Sequence, residues 1–222
     1  KHDVKINYNK ITNQFTLLIP KDVKINNVKN ENNVISLDPG LRTFMTGVCE
    51  NYAVKIGVGI NKKIKKIVNK IKNIKNNNNI QLKNKKKGEQ KYENKIYNLV
   101  DDLHWKSIKY LTNNYNNILL GDMSAKSIIS KNNLQMRKDM KDACERTRYY
   151  QFRQRLIYKC NVNNIQFRLV DEKYTSKTCS ICGNVNEKLK GEEIYDCKNC
   201  GIKIDRDINA CRNIYIKQQE FK

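Results

Sequence analysis

Val34-Ile35-Ser36-Leu37-Asp38-Pro39-Gly40 reads as a short buried strand that runs into an aspartate and stops at a turn. Its aliphatic and β-branched residues suit a pleated, buried setting, and Pro-Gly is a turn former. Two more strands follow at meander spacing, 44–49 and 52–56. A fourth, Asn117-Ile118-Leu119-Leu120, ends at Gly121-Asp122, and a fifth, 165–170, closes with Asp171-Glu172. Between them lie helices. Ile60, Ile64, Ile67, Ile71 and Ile74 recur at four, three, four and three, an apolar stripe on a helix that the asparagine run 76–79 ends. A second long helix with Ile96, Leu99, Leu103 and Leu111 facing inward completes an antiparallel helical arm. A basic helix, 146–159, sets Arg146, Arg148, Arg153, Arg155 and Lys159 among Tyr149, Tyr150, Phe152 and Tyr158, with Tyr150 and Leu156 as its core-facing residues. A last helix opens at Asp205-Arg206-Asp207 and carries Ala210, Ile214 and Ile216. Three strands, helix, strand, helix, strand, helix predicts an α/β core with a mixed sheet.

Upstream, Val4, Ile6 and Tyr8, then Phe15 and Leu17, alternate as a hairpin too small to stand alone, the end of a β domain, followed by a polar connector from Pro20 to Asn33. The first residue is Lys1, as in a piece of a longer protein. With 39% hydrophobic residues in 222, the chain can bury one substantial core and a small satellite, but not three full domains. No window approaches the ~18 apolar residues of a membrane span, and no charged-then-apolar leader is present, so a cytosolic or nuclear protein without a membrane partner is expected.

Lysine and arginine number 44 against 22 acidic residues, a net charge of +22. Such a charge calls for a polyanion, nucleic acid ahead of an anionic membrane surface. Lysine, asparagine and isoleucine also dominate as they would under AT-rich coding. The lysine face of the arm is therefore either a solvated surface shaped by composition or a phosphate-contacting one.

Four of the eight cysteines form Cys179-Ser180-Ile181-Cys182 and Cys197-Lys198-Asn199-Cys200, each pair followed by glycine (Gly183, Gly201). Two thiolates can reach one ion from such a knuckle, and glycine tolerates the positive φ of its turn. One zinc ion held by four sulfurs is predicted, structural because four thiolates leave no open position. Cys49, Cys144, Cys160 and Cys211 sit at unrelated spacings and read as buried free thiols of a reducing compartment.

With only His2 and His104, and without Gly-x-Ser-x-Gly, Walker or Gly-x-Gly-x-x-Gly sequences, triad hydrolases, NTPases and dinucleotide enzymes find little support. What the chain does offer is carboxylates at strand ends: Asp38 after the first core strand, Glu172 after the last, and Asp207 at the start of the closing helix. Grouped at one sheet edge, such residues can hold two magnesium ions roughly 3.5–4 Å apart for phosphodiester hydrolysis. Asp38 and Asp207 are equally at home as turn and helix-capping residues.

Three motifs carry a resemblance: 36–44 around Asp38-Pro39-Gly40, then Tyr174-Thr175-Ser176-Lys177-Thr178-Cys179-Ser180-Ile181-Cys182-Gly183, then Asp205-Arg206-Asp207-Ile208-Asn209-Ala210. They are similar, in the same order, to the RuvC-like nuclease half of the TnpB and Fanzor proteins, transposon-associated RNA-guided DNA endonucleases related to type V CRISPR effectors. The resemblance covers about residues 34–218. It implies an RNase H-like RuvC fold, Asp38 and Asp207 as metal ligands, the cysteine knuckles as a zinc-ribbon insertion, and residues 1–33 as the end of a wedge-like domain and a connector, the recognition part being absent. It implies nuclear residence if the chain belongs to the eukaryotic and viral branch. It also places the basic helix along a guide–target duplex, with Arg146, Arg148, Arg153, Arg155 and Lys159 facing nucleic acid.

Prokaryotic members end the fourth strand with a catalytic glutamate, whereas this chain has Leu120-Gly121-Asp122. Asp122, one residue on, should point to the opposite face. Glu172 ends the neighbouring strand, about 4.8 Å away, and glycine at 121 leaves room for its side chain to cross. The Fanzor branch is similar in carrying a glutamate just before Tyr-Thr-Ser-Lys. The expected organisation is a nuclease core over 34–173 including the arm 57–116, a zinc ribbon over 174–204, and a closing nuclease segment over 205–222. The expected function is magnesium-dependent DNA cleavage by Asp38, Glu172 and Asp207 in a monomeric ribonucleoprotein with guide RNA and target DNA. The alternatives are an inactive DNA-binding regulator of the same family and a zinc-ribbon RNA-binding module.

Overall fold

A computed structural model describes residues 3–10, 12–22, 33–40, 42–122, 142, 145–189 and 191–219. The first elements are an antiparallel hairpin, β1 (Lys5–Asn9) and β2 (Gln14–Leu18), with Tyr8 opposite Phe15 and their ring centroids 4.8 Å apart. The turn at Asn13 adopts φ +55°, and the Asn13 side chain accepts from the Tyr8 hydroxyl at 2.7 Å. The alternation is as predicted, yet every residue of both strands except half-buried Asn9 is exposed, so the hairpin buries neither face.

The next three strands, β3 (Val34–Pro39), β4 (Met45–Val48) and β5 (Ala53–Ile56), form an antiparallel meander. Two parallel strands, β6 (Asn117–Gly121) and β7 (Gln166–Val170), extend it on the other side, giving a five-stranded mixed sheet in the order β5-β4-β3-β6-β7. Parallel neighbours need crossovers, and helices supply them. Between β5 and β6 run α1 (Ile60–Asn76) and α2 (Leu82–Asn114); between β6 and β7 lies α3 (Tyr149–Val162). The final helix, α4 (Arg206–Gln219), follows a small hairpin of β8 (Ile194–Asp196) and β9 (Lys203–Asp205). Among the described residues, no helix is long and apolar enough to cross a membrane.

Side-chain alternation separates the sheet's two faces. Ile35 and Leu37 with Ile118 and Leu120 join the main core, which Phe152 and Leu156 of α3 and Ile108 of α2 complete. Val34, Leu119 and Val170 share the opposite face with Ile214 of α4. By the same parity Asp38 and Gly121 belong to the α4 face, side by side, because Leu37 pairs with Leu120.

The arm is antiparallel as expected. Lys75 at the end of α1 pairs with Glu89 near the start of α2 at 3.4 Å, while Gly57, before α1, packs on Leu103 further along α2. Four of the five stripe isoleucines are buried, and Ile74 at the tip is half-buried. His104 is a core residue: it lies between Phe44 and Phe152, its Nε2 2.8 Å from the Thr147 carbonyl, and burial lowers its pKa to about 4.

The basic helix starts later than its sequence suggests. Residues 147–148 form a turn with Arg148 at φ +50°, a left-handed value that interrupts a right-handed helix, so Arg146 and Arg148 precede α3. Its buried face is Tyr149, Phe152, Leu156 and Cys160; Tyr150, expected inside, is exposed. Ile216 of α4 is also exposed. Cys160 and Cys211 are buried thiols, with burial pushing Cys160 up to about 12; Cys49 is half-buried, and Cys144, with Leu41 and most of the connector, lies outside the described residues.

Candidate functional site

The α4 face of the sheet carries three carboxylates from three elements. Asp38 stands on β3 opposite Thr46 of β4, Glu172 follows β7, and Asp207 lies in the first turn of α4. Val170 is the partner of Gly121, and Glu172, two residues on, keeps Val170's parity. Its side chain then turns over Gly121: a β-carbon there would overlap Glu172 Oε1 and stand 2.8 Å from Cγ and 2.9 Å from Cδ. No side chain larger than hydrogen fits at 121 without moving the glutamate.

Asp38 feels both of the others. Burial first, then the carboxylates of Glu172 and Asp207, raise the Asp38 pKa well above its usual range, against the lowering effect of Arg206. Glu172 is pushed up to about 7, by burial first and then by Asp122 and Asp171. Its Oε1 is buried without a hydrogen-bond partner among the described residues. Carboxylate oxygens are the donor type a hard divalent cation such as magnesium takes, although among the described residues only the four cysteines already gather their ligand atoms within 4.8 Å.

The neighbouring acids do other work. Asp122 lies on the far face, as strand alternation requires, where Arg153 of α3 holds it at 2.6 Å. Asp205 caps α4, its Oδ1 accepting from the backbone N–H groups of Asp207 and Ile208 at 2.9 and 3.2 Å. It also accepts from Lys55 Nζ at 2.7 Å. Burial opposes its ionisation, but Lys55 and these amides hold its pKa below the ordinary value. A cavity of about 580 Å³ opens onto Asp205 and Asp207, with Arg42, Lys55, Lys62 and Lys65 in its walls. Nothing marked Lys55 in the sequence, one lysine among many on an edge strand. Asn209 and Asn213 were also missed, although Asn209 lies inside a motif already noted.

The cysteine site is built twice from one pattern. Cys179 N–H donates to the Asn184 carbonyl and Cys197 N–H to that of Ile202, each at 2.9 Å. Gly183 and Gly201 return bonds to Cys179 and Cys197, both at φ +74°, the left-handed value predicted for them. All four sulfurs lie within 4.8 Å of one another, with Cys179–Cys200 at 3.7 Å and Cys182–Cys197 at 3.6 Å. Zn–S bonds of about 2.3 Å in a tetrahedron put sulfurs about 3.8 Å apart, so the site fits zinc. The ribbon's apolar centre is small, Tyr195 with Cys179 and Cys197, as expected where a metal supplies the cohesion.

The basic residues of 146–159 differ from their reading as a nucleic-acid face. Glu93, Tyr97, Asp101 and Trp105 recur every four residues along one face of α2, and three of the arginines are spent on that row. Arg146 pairs with Glu93 at 2.5 Å, and Arg148 donates to the Tyr97 carbonyl and covers its ring. Arg155 pairs with Asp101 at 2.7 Å and stacks on Trp105. With Arg153 on Asp122 after β6, all four are engaged with the protein itself, and the planar guanidinium groups of Arg146, Arg148 and Arg155 dock the arm. Lys159 is half-buried, its ammonium over the exposed Tyr158 ring.

The chain resembles known proteins over nearly its whole length. Residues 149–214 match the model of the Cas12f1-like TNB domain. The chain is 34% identical to TnpB-like protein L79 of Acanthamoeba polyphaga mimivirus over 220 residues, 95% of this chain and 42% of that one. It is 30% identical to putative transposase A625R of Paramecium bursaria Chlorella virus 1 over 90% of its own length and 46% of the relative's. With the CRISPR-associated endodeoxyribonuclease Cas12f1 of Sulfoacidibacillus thermotolerans it shares 41% identity over 69 residues, 31% of this chain and 16% of the relative. The chain thus spans less than half the length of these relatives. In fold it matches a chain in the cryo-EM structure of a Cas12f1–sgRNA–target DNA complex, with a TM-score of 0.54 at 16% identity, covering 95% of this chain and 55% of that one.

Proposed function

As a member of the TnpB family, the chain is, we propose, the nuclease part of an RNA-guided DNA endonuclease. In this reading residues 34–173 and 205–222 form the RuvC-type nuclease core, 174–204 the zinc ribbon, and 1–33 the end of a wedge-like domain. Asp38, Glu172 and Asp207 would hold two magnesium ions, which when bound activate water and stabilise the leaving 3′ oxygen of a phosphodiester. Cys179, Cys182, Cys197 and Cys200 would hold one structural zinc ion.

The chain's own residues account for the rest. The seat of Glu172 over Gly121 carries the proposal: it returns a carboxylate to the α4 face beside Asp38, where the strand itself offers none. Glycine at 121 is then the mark of a moved ligand rather than of a lost one. Asp205 and Arg206 fix the first turn of α4 and with it Asp207. The lysine-walled cavity draws a phosphate backbone toward the carboxylates, and the +22 charge supports nucleic-acid partners generally. The arm lysines and Lys159 meet phosphates, while Arg146, Arg148 and Arg155 brace the arm.

The test is cleavage of matching DNA in magnesium by the full-length ribonucleoprotein. Loss of cleavage in Asp38→Ala and Glu172→Ala, with RNA and DNA binding retained, supports the nuclease. Tight binding with no cleavage by the unaltered protein would favour a regulator instead.

A further inference from the structure

α4 presents two buried carboxamides one turn apart on one face, Asn209, wholly buried, and Asn213. Asn209 Oδ1 accepts from the backbone N–H of Ser180, beside Cys179, at 2.9 Å, and its Nδ2 donates to the Thr178 carbonyl at 2.7 Å. Asn213 Nδ2 donates to the carbonyls of Thr175 and Thr178, both at 2.7 Å. Two side chains thus tie α4 to the segment 175–180 at four points. That segment continues to both metal centres. Upstream, the N–H and hydroxyl of Thr175 both donate to the Glu172 carbonyl, at 3.0 and 2.8 Å. Downstream it becomes the first cysteine knuckle. On the helix, Asn209 stands two residues after Asp207.

Only a carboxamide can donate and accept from one planar group here; an aspartate would turn an acceptor toward the Thr178 carbonyl. The bonds are also costly to lose, since a buried amide that loses its partner is left unsatisfied. Four thiols gathered within 4.8 Å have no cohesion of their own without an ion. When the knuckle opens, Ser180 N–H leaves Asn209.

The geometry assigns Asn209 and Asn213 as positioning residues, a clasp through which closure of the cysteine site sets the Asp207 and Glu172 carboxylates in place. This rests on the reading of Asp38, Glu172 and Asp207 as a divalent-cation site. Because the link is thermodynamic, it runs both ways: the carboxylates' cations also help the ribbon keep its zinc.

The test uses the full chain and manganese alone as probe, free ion being counted by electron paramagnetic resonance. Asn209→Ala and, separately, the knuckle-opening pair Cys182→Ser with Cys200→Ser should each weaken manganese binding about tenfold. Combined, they should weaken it little further. Manganese affinity unchanged by Asn209→Ala, or effects that multiply in the combination, would overturn the clasp. Hydrogen exchange supplies a second readout that does not need the manganese site. Zinc removal should speed exchange over 206–210 in the unaltered chain, and Asn213→Ser, a milder change, should exchange fast with or without zinc. Exchange that ignores zinc overturns the clasp even if manganese binds. A chain that binds no manganese but keeps zinc-dependent exchange overturns the carboxylate reading and upholds the clasp.

Discussion

The two metal sites proposed for this chain are built in opposite ways. The four sulfurs come from two copies of one tight turn, each closed by its own backbone hydrogen bonds and a glycine at φ +74°. The three carboxylates come from a strand, the segment after a second strand, and the first turn of a helix beyond the ribbon. A local site carries its geometry in its spacing. A distributed one borrows its geometry from the sheet, so a carboxylate from a neighbouring strand can reach the same face, as Glu172 over Gly121 does.

Removing zinc should break the first site most completely. Structural zinc contributes about 10 kcal/mol or more to small ribbons, so chelation is expected to abolish exchange protection over 194–205 while the five-stranded sheet stays folded. A ribbon that keeps its protection without metal would erase the contrast in cohesion.

The distributed site should be most sensitive at its ligands and at the space between them. In the full-length ribonucleoprotein, Asp38→Ala is expected to reduce cleavage about a thousandfold or more, with binding unchanged. Gly121→Ala, which forces Glu172 aside, should cost about a hundredfold or more. The exchange Gly121→Glu with Glu172→Gly puts the carboxylate on β6 and should recover part of the lost rate. Full activity in Gly121→Ala would show that the seat of Glu172 has no part in cleavage.

The third effect is a pH dependence peculiar to the carboxylates. In the metal-free chain Glu172 holds its proton more tightly than an unfolded glutamate, about 7 against 4.5. Between those values the native state binds more protons than the unfolded one, so stability falls as pH rises through that window, by about 3 kcal/mol at most. Asp38, raised by burial and by the Glu172 and Asp207 carboxylates, adds to the fall. Thermal unfolding of metal-free protein should show it, Glu172→Gln should flatten it, and magnesium should offset it above pH 7. Stability that rises from pH 5 to 7 would contradict the crowded carboxylates.

The smallest effect concerns the arginines. Arg155→Met removes a pair with Asp101 and a stack on Trp105, and should destabilise the chain by about 1–2 kcal/mol in denaturant unfolding. DNA affinity is expected to stay within about twofold once the fold is restored by lower temperature. A large loss of affinity at full folding would return Arg155 to the nucleic-acid face.

Much of this was legible in residue order. Strand parity alone predicts that Asp122 leaves the face of Gly121, and the isoleucine stripe predicts α1, because both depend on periods set by the backbone. The internal pairing of Arg146 and Arg155 is invisible in residue order because their partners, Glu93 and Asp101, lie some fifty residues away on α2. A charge count cannot tell an internal pair from an open one. Arg148 at φ +50° likewise broke a helix that periodicity extended to 146.

By itself, then, the sequence determined what short-range geometry can encode: the periods of strands and helices, the two cysteine turns, the family motifs, and the excess of positive charge. Only the tertiary structure decided that Glu172 crosses above Gly121, that Arg146, Arg148 and Arg155 pack on the arm, and that Asn209 and Asn213 bind the ribbon to the helix of Asp207. Each of these is a meeting of residues far apart in the chain. Backbone period says which face a side chain takes, while packing alone says what it finds there.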